Sequence, residues 1–289
     1  MELLSDALVI GLTEQAPLVL ATIGFALLYR LTGLINVAYS ETITLGAYLG
    51  MWVNTTFGLN FYATLIPAGI LAGLLSVGTY FLIFRPARQR GAGLLELIII
   101  SFGLSIFLRY GLQFVFGYAV RFYDVPPPDT IWVLGVGVSS FRLIAFASVI
   151  ALALLLYWII RRTGLGLQIR ALASDEGLAQ VSGIRPLAVT MLIWFIAGVA
   201  GGIAGAFYGV GSSVRPWLGW EEFLFILLIT LVASQSIRSI IIVGLGTGVV
   251  LAAMTLQTGE ALYSRLFLIA VFMLILKWRG NPAAEAGKV

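Results

Sequence analysis

The chain has 289 residues, of which 60% are hydrophobic and 10% charged, against the roughly 25% charged content of soluble domains. It contains no cysteine and no histidine, so disulfides, thiol nucleophiles, histidine-ligated metals and Ser-His-Asp chemistry are all excluded. Apolar runs of about twenty residues recur from end to end, each long enough to cross a hydrocarbon core, and the fold class is therefore an all-α polytopic membrane protein.

In chain order, hydropathy predicts nine segments: Ala7–Tyr29, Ser40–Thr56, Phe61–Phe84, Leu94–Phe116, Phe141–Ile160, Leu187–Gly209, Glu222–Ser236, Ser239–Gln257 and Leu266–Trp278. The seventh and ninth are short, so about nine spans (8–10) are expected. No boundary reads as an inter-domain linker, and residues 1–289 are expected to form a single transmembrane domain. The start carries Glu2 and Asp6 without early Lys or Arg, unlike the basic opening of a secretory signal. With the N-terminus outside, twelve of the seventeen basic residues fall on the cytoplasmic side, among them Arg30, Arg85, Arg88, Arg161, Arg170 and Arg279. This bias follows the positive-inside rule, puts the C-terminus in the cytoplasm, and accounts for the net charge of +4 without any nucleic-acid partner.

Between the first two segments runs G-L-I-N-V-A-Y-S-E, Gly33 to Glu41, a polar interruption of otherwise continuous spans. Lipid supplies no hydrogen-bond partners, so irregular polar backbone at membrane depth must face protein or a watery path. Ser40 is the expected N-cap of the following helix. A helix starting there has about seventeen residues, about 25 Å at 1.5 Å each, so its start is expected slightly inside the interface, with free N–H groups of the kind transporters use to hold a carboxylate. Asn36, Ser40, Glu41 and Thr44 are the candidate lining of a substrate pathway. An ordinary loop with a capped helix is the bland alternative. Glu41, in a first turn, is also explained by the helix dipole alone. Glu14, Glu96 and Arg109 are the other ionisable residues at depth, and Glu96 and Arg109 lie near enough to span ends to snorkel, which favours structural roles.

The outer connection Gly117–Ser140 contains Pro126, Pro127 and Pro128 and is expected to be an extended loop. On the inner side, Arg161 to Ile184 is the longest connection. Small apolar residues alternate there with Asp175 and Glu176, as in a short surface helix that Gly183 ends before Pro186. Residue physics leaves docking to another protein and a plain linker as alternatives. Gly198, Gly201, Gly202, Gly205 and Gly209, and again Gly244 and Gly248, form small-residue steps that favour close helix packing in lipid over a moving interface. The N-P-A at Asn281–Ala283 lies in the tail and heads no matching half-helix. There is no G-x-x-x-x-G-K-[ST] phosphate loop, and no carboxylate pair or nucleophile–base set that suggests an enzyme.

Two stretches carry a family likeness. Gly33, Ile35, Asn36, Val37, Ala38, Ser40 and Glu41, with Gly46, Ala47 and Tyr48 beyond, resemble the Gly-x-Ile-Asn-Phe-Ala-x-Gly-Glu signature of the permease subunits of branched-chain amino-acid ABC importers. Gly166, Arg170, Ala171, Asp175, Ala179, Gly183 and Ile184 resemble the same family's inner loop. The resemblance implies a pore-forming subunit that carries branched-chain or related neutral amino acids across the cytoplasmic membrane. It implies two cytoplasmic ATPases, which bind the ATP that this chain does not, a second permease, identical or homologous, and an extracytoplasmic solute-binding protein. Arg170, Ala171, Asp175, Ala179 and Gly183 would couple to the ATPase. Ser40 stands where the family usually has glycine, and Val232–Ser239 lacks the glycines many relatives carry at a late helix break. The alternative is a self-sufficient secondary transporter or channel for a small polar solute such as urea or an amide, whose coupling groups would have to be Glu41 and Glu14. A non-transporting scaffold explains the spans but not the break.

Overall fold

The computed structural model describes residues 2–233 and 237–278. The helices, in order, are α1 (Glu2–Glu14), α2 (Ala16–Thr32), α3 (Tyr39–Phe57), α4 (Phe61–Thr79), a π-helical turn (Tyr80–Phe84), α5 (Arg85–Gln89), α6 (Leu94–Phe116), α7 (Ser140–Arg162), α8 (Leu165–Ser174), α9 (Glu176–Val181), α10 (Pro186–Gly211), α11 (Leu218–Val232), α12 (Ile237–Thr258) and α13 (Ala261–Trp278). Each of the nine predicted segments falls on helix, the first on α1 and α2 together and the third on α4 with the π-helical turn, while the end of the seventh, 234–236, lies outside the described residues. Among the described residues, six helical stretches are long and apolar enough to cross a membrane, or seven when α1 and α2 are taken as one span bent by 47°. The other two predicted spans are α3 and α11. α11 has only 15 residues, about 22 Å. α3 carries Ser40, Glu41, Thr42, Thr44 and Asn54 buried along its length, a polarity that protein surroundings tolerate and lipid does not.

One end of the molecule collects Arg30, the α5 arginines, the end of α7 and the α8–α9 pair, and is called the basic end here. The opposite end carries a β-hairpin inside the long connection expected to be an extended loop. Strands β1 (Thr130–Val133) and β2 (Val136–Ser139) pair antiparallel around Leu134 and Gly135, both at positive φ, as a two-residue hairpin turn of primed type requires. Alternation buries Val136 and Val138 against Val9 of α1. The rest of the connection is anchored too: Arg121 and Val214 exchange backbone hydrogen bonds of 2.9 and 2.8 Å, and the buried Tyr123 hydroxyl donates to the Ala47 carbonyl at 3.1 Å. Burial pushes the Tyr123 phenol up, which keeps it a donor.

The first predicted span is broken rather than continuous. Gln15 leaves helical geometry between α1 and α2, with Pro17 in the first turn of α2, a position where its missing N–H is not needed. α2 is apolar on all sides, and every residue from Ala16 to Leu28 is buried; such a helix belongs at the centre of a bundle. Around it, α10 packs closely on α3 and α4. A side chain at Gly205 would meet the Ile43 carbonyl, one at Gly46 would meet Gly202, and one at Gly198 would meet the Ala72 carbonyl at 2.7 Å. The glycine series of α10 is thus a close-packing device. Gly248 does the same for α12 against Gly11 of α1 and Gln15 at the break.

Candidate functional site

The polar interruption survives in the fold, tied to protein through several of its backbone groups. Gly33 ends α2 in the left-handed conformation, φ 65°, and its N–H bonds the Tyr29 carbonyl at 2.8 Å. The Leu34 N–H is taken by the Thr32 hydroxyl and the Val37 N–H by Ser101 of α6 at 3.1 Å. Residues 33–38 connect α2 to α3 without helix. The start of α3 differs from expectation. Tyr39, Ser40 and Glu41 donate their N–H groups to the Asn36, Val37 and Ala38 carbonyls in a tight first turn. Ser40 lies inside the helix, whose N-cap position is Ala38, so it caps nothing, and its hydroxyl instead donates to the Val37 carbonyl at 2.8 Å and to Glu41 Oε1 at 3.1 Å. The three N–H groups that were to hold a carboxylate are therefore spoken for.

Asn36, Ser40, Glu41 and Thr44 come together at this start and all lie within the protein, at 3%, 0%, 0% and 0% exposure. Asn36 Oδ1 is enclosed without a hydrogen-bond partner. Thr44 Oγ1 accepts from the Gly219 N–H of α11 at 3.0 Å. Of the four, Glu41 borders a cavity of about 430 Å³ between α3, α4 and α6, otherwise walled by leucines, phenylalanines, Val115 and Gly111.

Glu41 has a partner that spacing did not disclose. Arg109, expected to reach for the membrane surface, turns inward from α6 and places Nη2 2.7 Å from Glu41 Oε1. Ser105, one turn earlier, donates to the same oxygen at 2.8 Å. The guanidinium also lies over the Trp220 ring, 4.7 Å from its centroid. Two charges in low dielectric are retained only with such additional hydrogen bonds, because each loses its hydration. The pair is one-pronged: Glu41 Oε2 and Arg109 Nε are buried and unpartnered. Glu96 serves structure, accepting from the Gly93 N–H at 2.7 Å and fixing the start of α6. Glu14 pairs with Arg142 at 2.9 Å, each about half exposed.

The first turn of α11 is the hub that sequence reasoning missed. Gly219 bonds Thr44, Trp220 covers Arg109, Glu221 holds Arg215 at 2.5 Å, and Glu222, 10% exposed, holds Arg265 at 3.0 Å. A second cavity, about 390 Å³, opens beside this turn at the hairpin end. The W-E-E run at the head of a short helix was the available signal, since a carboxylate held at membrane depth is rarely idle.

At the basic end, the connection expected to hold one surface helix holds two. Asp175, extended at φ −154°, separates α8 from α9 and accepts the Leu178 N–H at 2.9 Å. Arg170 and Ala171 lie on α8. Gly183, φ 85°, closes α9: its N–H bonds the Gln180 carbonyl and the Ile184 N–H bonds that of Ala179, the paired bonds of a Schellman cap. Ala179 is buried at 3%, whereas Leu178 and Val181 are 68% and 89% exposed.

Against known proteins, the family described as branched-chain amino acid transport system / permease component matches residues 7–276. The chain belongs to this family. It is a multi-pass ABC transporter permease and not an enzyme. The high-affinity branched-chain amino acid transport system permease protein LivH of Salmonella typhimurium is 25% identical, with 88% of this chain and 84% of that one covered. The guanosine ABC transporter permease protein NupQ of Bacillus subtilis is 24% identical over 72% and 68%. Among solved structures, PsaBC from Streptococcus pneumoniae in complex with Fab matches at a TM-score of 0.50 and 16% identity, covering 95% of this permease and 91% of that chain; it supports the fold alone.

Proposed function

We infer that this permease is the pore-forming subunit of an ATP-driven importer for branched-chain or related neutral amino acids. Its residues 1–289 form one permease domain in the cytoplasmic membrane, with the N-terminus outside and the C-terminus and basic end in the cytoplasm. The working assembly adds a second permease, two ATPases at the basic end and a solute-binding protein at the hairpin end. Arg170, Ala171, Asp175, Ala179 and Gly183 position the coupling segment. Asn36, Ser40, Glu41 and Thr44 lie along the route, and the one-pronged Glu41–Arg109 pair is its movable polar element. Of the orientation tally, Arg279 and Lys288 lie outside the described residues, as does part of the glycine-free Val232–Ser239 stretch.

The observation that carries the reading is α9. A six-residue helix fixed at both ends by Asp175 and Gly183 exposes Leu178 and Val181 beyond the spans, which costs solvation unless a partner covers them. The test is reconstitution in liposomes. Leucine uptake should require the ATPases, ATP and the binding protein together; uptake by the permease alone would establish the channel or secondary-transporter reading. Guanosine belongs in the same assay, because the relative in Bacillus subtilis is named for it.

A further inference from the structure

The cavity at the hairpin end has a chemistry of its own. It occupies the angle where the first span breaks at Gln15, between α1, the start of α7, the end of α10 and α11 to α13, and holds about 390 Å³, the lower range of small-molecule sites. Three guanidinium groups, Arg142, Arg215 and Arg265, and two carboxylates, Glu14 and Glu222, line it. Arg215 is in turn held by Glu221, so the charges around the space balance. The remaining wall is mixed, with Phe141, Phe207 and Leu251 forming its apolar part beside Thr13, Gln15 and Thr255.

These groups are incompletely used. Glu222 meets Arg265 through one oxygen and one nitrogen, Arg215 Nε is buried without a partner, and the Tyr208 hydroxyl, enclosed beside Glu222 and Arg265, has no well-formed hydrogen bond. Enclosed polar atoms of this kind are normally satisfied, so Arg215 Nε and the Tyr208 hydroxyl around one space point to something that completes them. A cation or an anion would unbalance the lining. A molecule carrying both charges about one carbon, with an apolar remainder, matches it: ammonium toward Glu222, carboxylate toward Arg265 or Arg215, side chain on the phenyl wall.

We propose that this cavity is a binding site for a zwitterionic α-amino acid with an apolar side chain. It is separate from the Asn36–Thr44 cluster but joined to it through the first turn of α11, where Gly219 bonds Thr44 and Glu222 faces the cavity. The inference rests on the orientation and amino-acid reading above, under which this is the external side, and it makes the cavity the acceptor for cargo released by the binding protein.

The experiment measures binding of radiolabelled L-leucine to the purified full-length permease, with leucinamide, 4-methylpentanoate and guanosine as competitors. Leucine should bind, and the two analogues that lack one charge should compete at least tenfold more weakly. Tyr208→Phe removes only the hydroxyl beside Glu222 and Arg265 and should weaken leucine binding severalfold; Glu222→Gln should weaken it by tenfold or more. Equal competition by leucinamide, or wild-type affinity in both variants, overturns the site. Uptake by the assembled importer separates the two readings. Leucine transport with unaltered binding in the variants sinks the cavity assignment alone, whereas transport of guanosine and not leucine sinks the amino-acid reading and this inference with it.

Discussion

Arg109 and Glu41 sit 68 residues apart in sequence on helices that hydropathy treats as independent, and their charges meet within the protein. Removing one partner leaves the other as an uncompensated buried ion, which costs about 3–5 kcal/mol. Arg109→Leu should therefore lower the unfolding midpoint of the purified permease markedly, while Arg109→Leu with Glu41→Leu should recover part of that loss. A double variant no better than the single would remove the ion pair from the account of stability. Glu41 was visible as a carboxylate in the wrong solvent. Its cation was not, because residue spacing reports which side chains share a helix face and says nothing of which helix is its neighbour. Ser40 shows the opposite failure: the residue type suits a cap, but the helix begins before it, with Ala38 at the N-cap position.

At the scale of elements, the apolar runs located all nine long segments, because their signal is local. The hairpin escaped because its strands are four residues each and its turn places a leucine, Leu134, at φ 52° where glycine or asparagine would have announced it. The split between α8 and α9 is a matter of one side chain. Asp175→Ala loses the bond to the Leu178 N–H, a cap worth about 0.5–2 kcal/mol, and Gly183→Ala puts a Cβ into a left-handed residue at about 1–2 kcal/mol. Each is expected to loosen α9 without affecting insertion, reducing co-purification of the ATPases and ATP-dependent uptake at least severalfold. If both variants kept full uptake, α9 would not be the coupling element.

For the whole molecule, the distribution of arginines predicts that the hairpin and α9 lie on opposite sides of the membrane. The chain has no cysteine, so single replacements report without background. Leu134→Cys, at a tip 77% exposed, and Val181→Cys, 89% exposed, should differ: a membrane-impermeant maleimide should label the first in intact cells and the second only after permeabilisation. The reverse pattern would invert the orientation and move the ATPases to the other end. Hydropathy and charge bias made the membrane class legible, since both are sums over many residues. The hub at α11 was not, because it exists only where α3, α6, α10 and α13 converge.

The interlocked glycines of α3, α4 and α10 have a mechanical corollary. Where Gly205 admits the Ile43 carbonyl and Gly46 admits Gly202, neither helix can slide or roll without steric collision, so the three travel as one piece. α6, which rests mainly on α3 and turns Phe107 and Phe114 outward at 73% and 92% exposure, has no such latch. Any stroke driven from the basic end is thus divided between a stiff block and a loosely seated rod, with the Glu41–Arg109 bond spanning the seam as the tether that must stretch or let go.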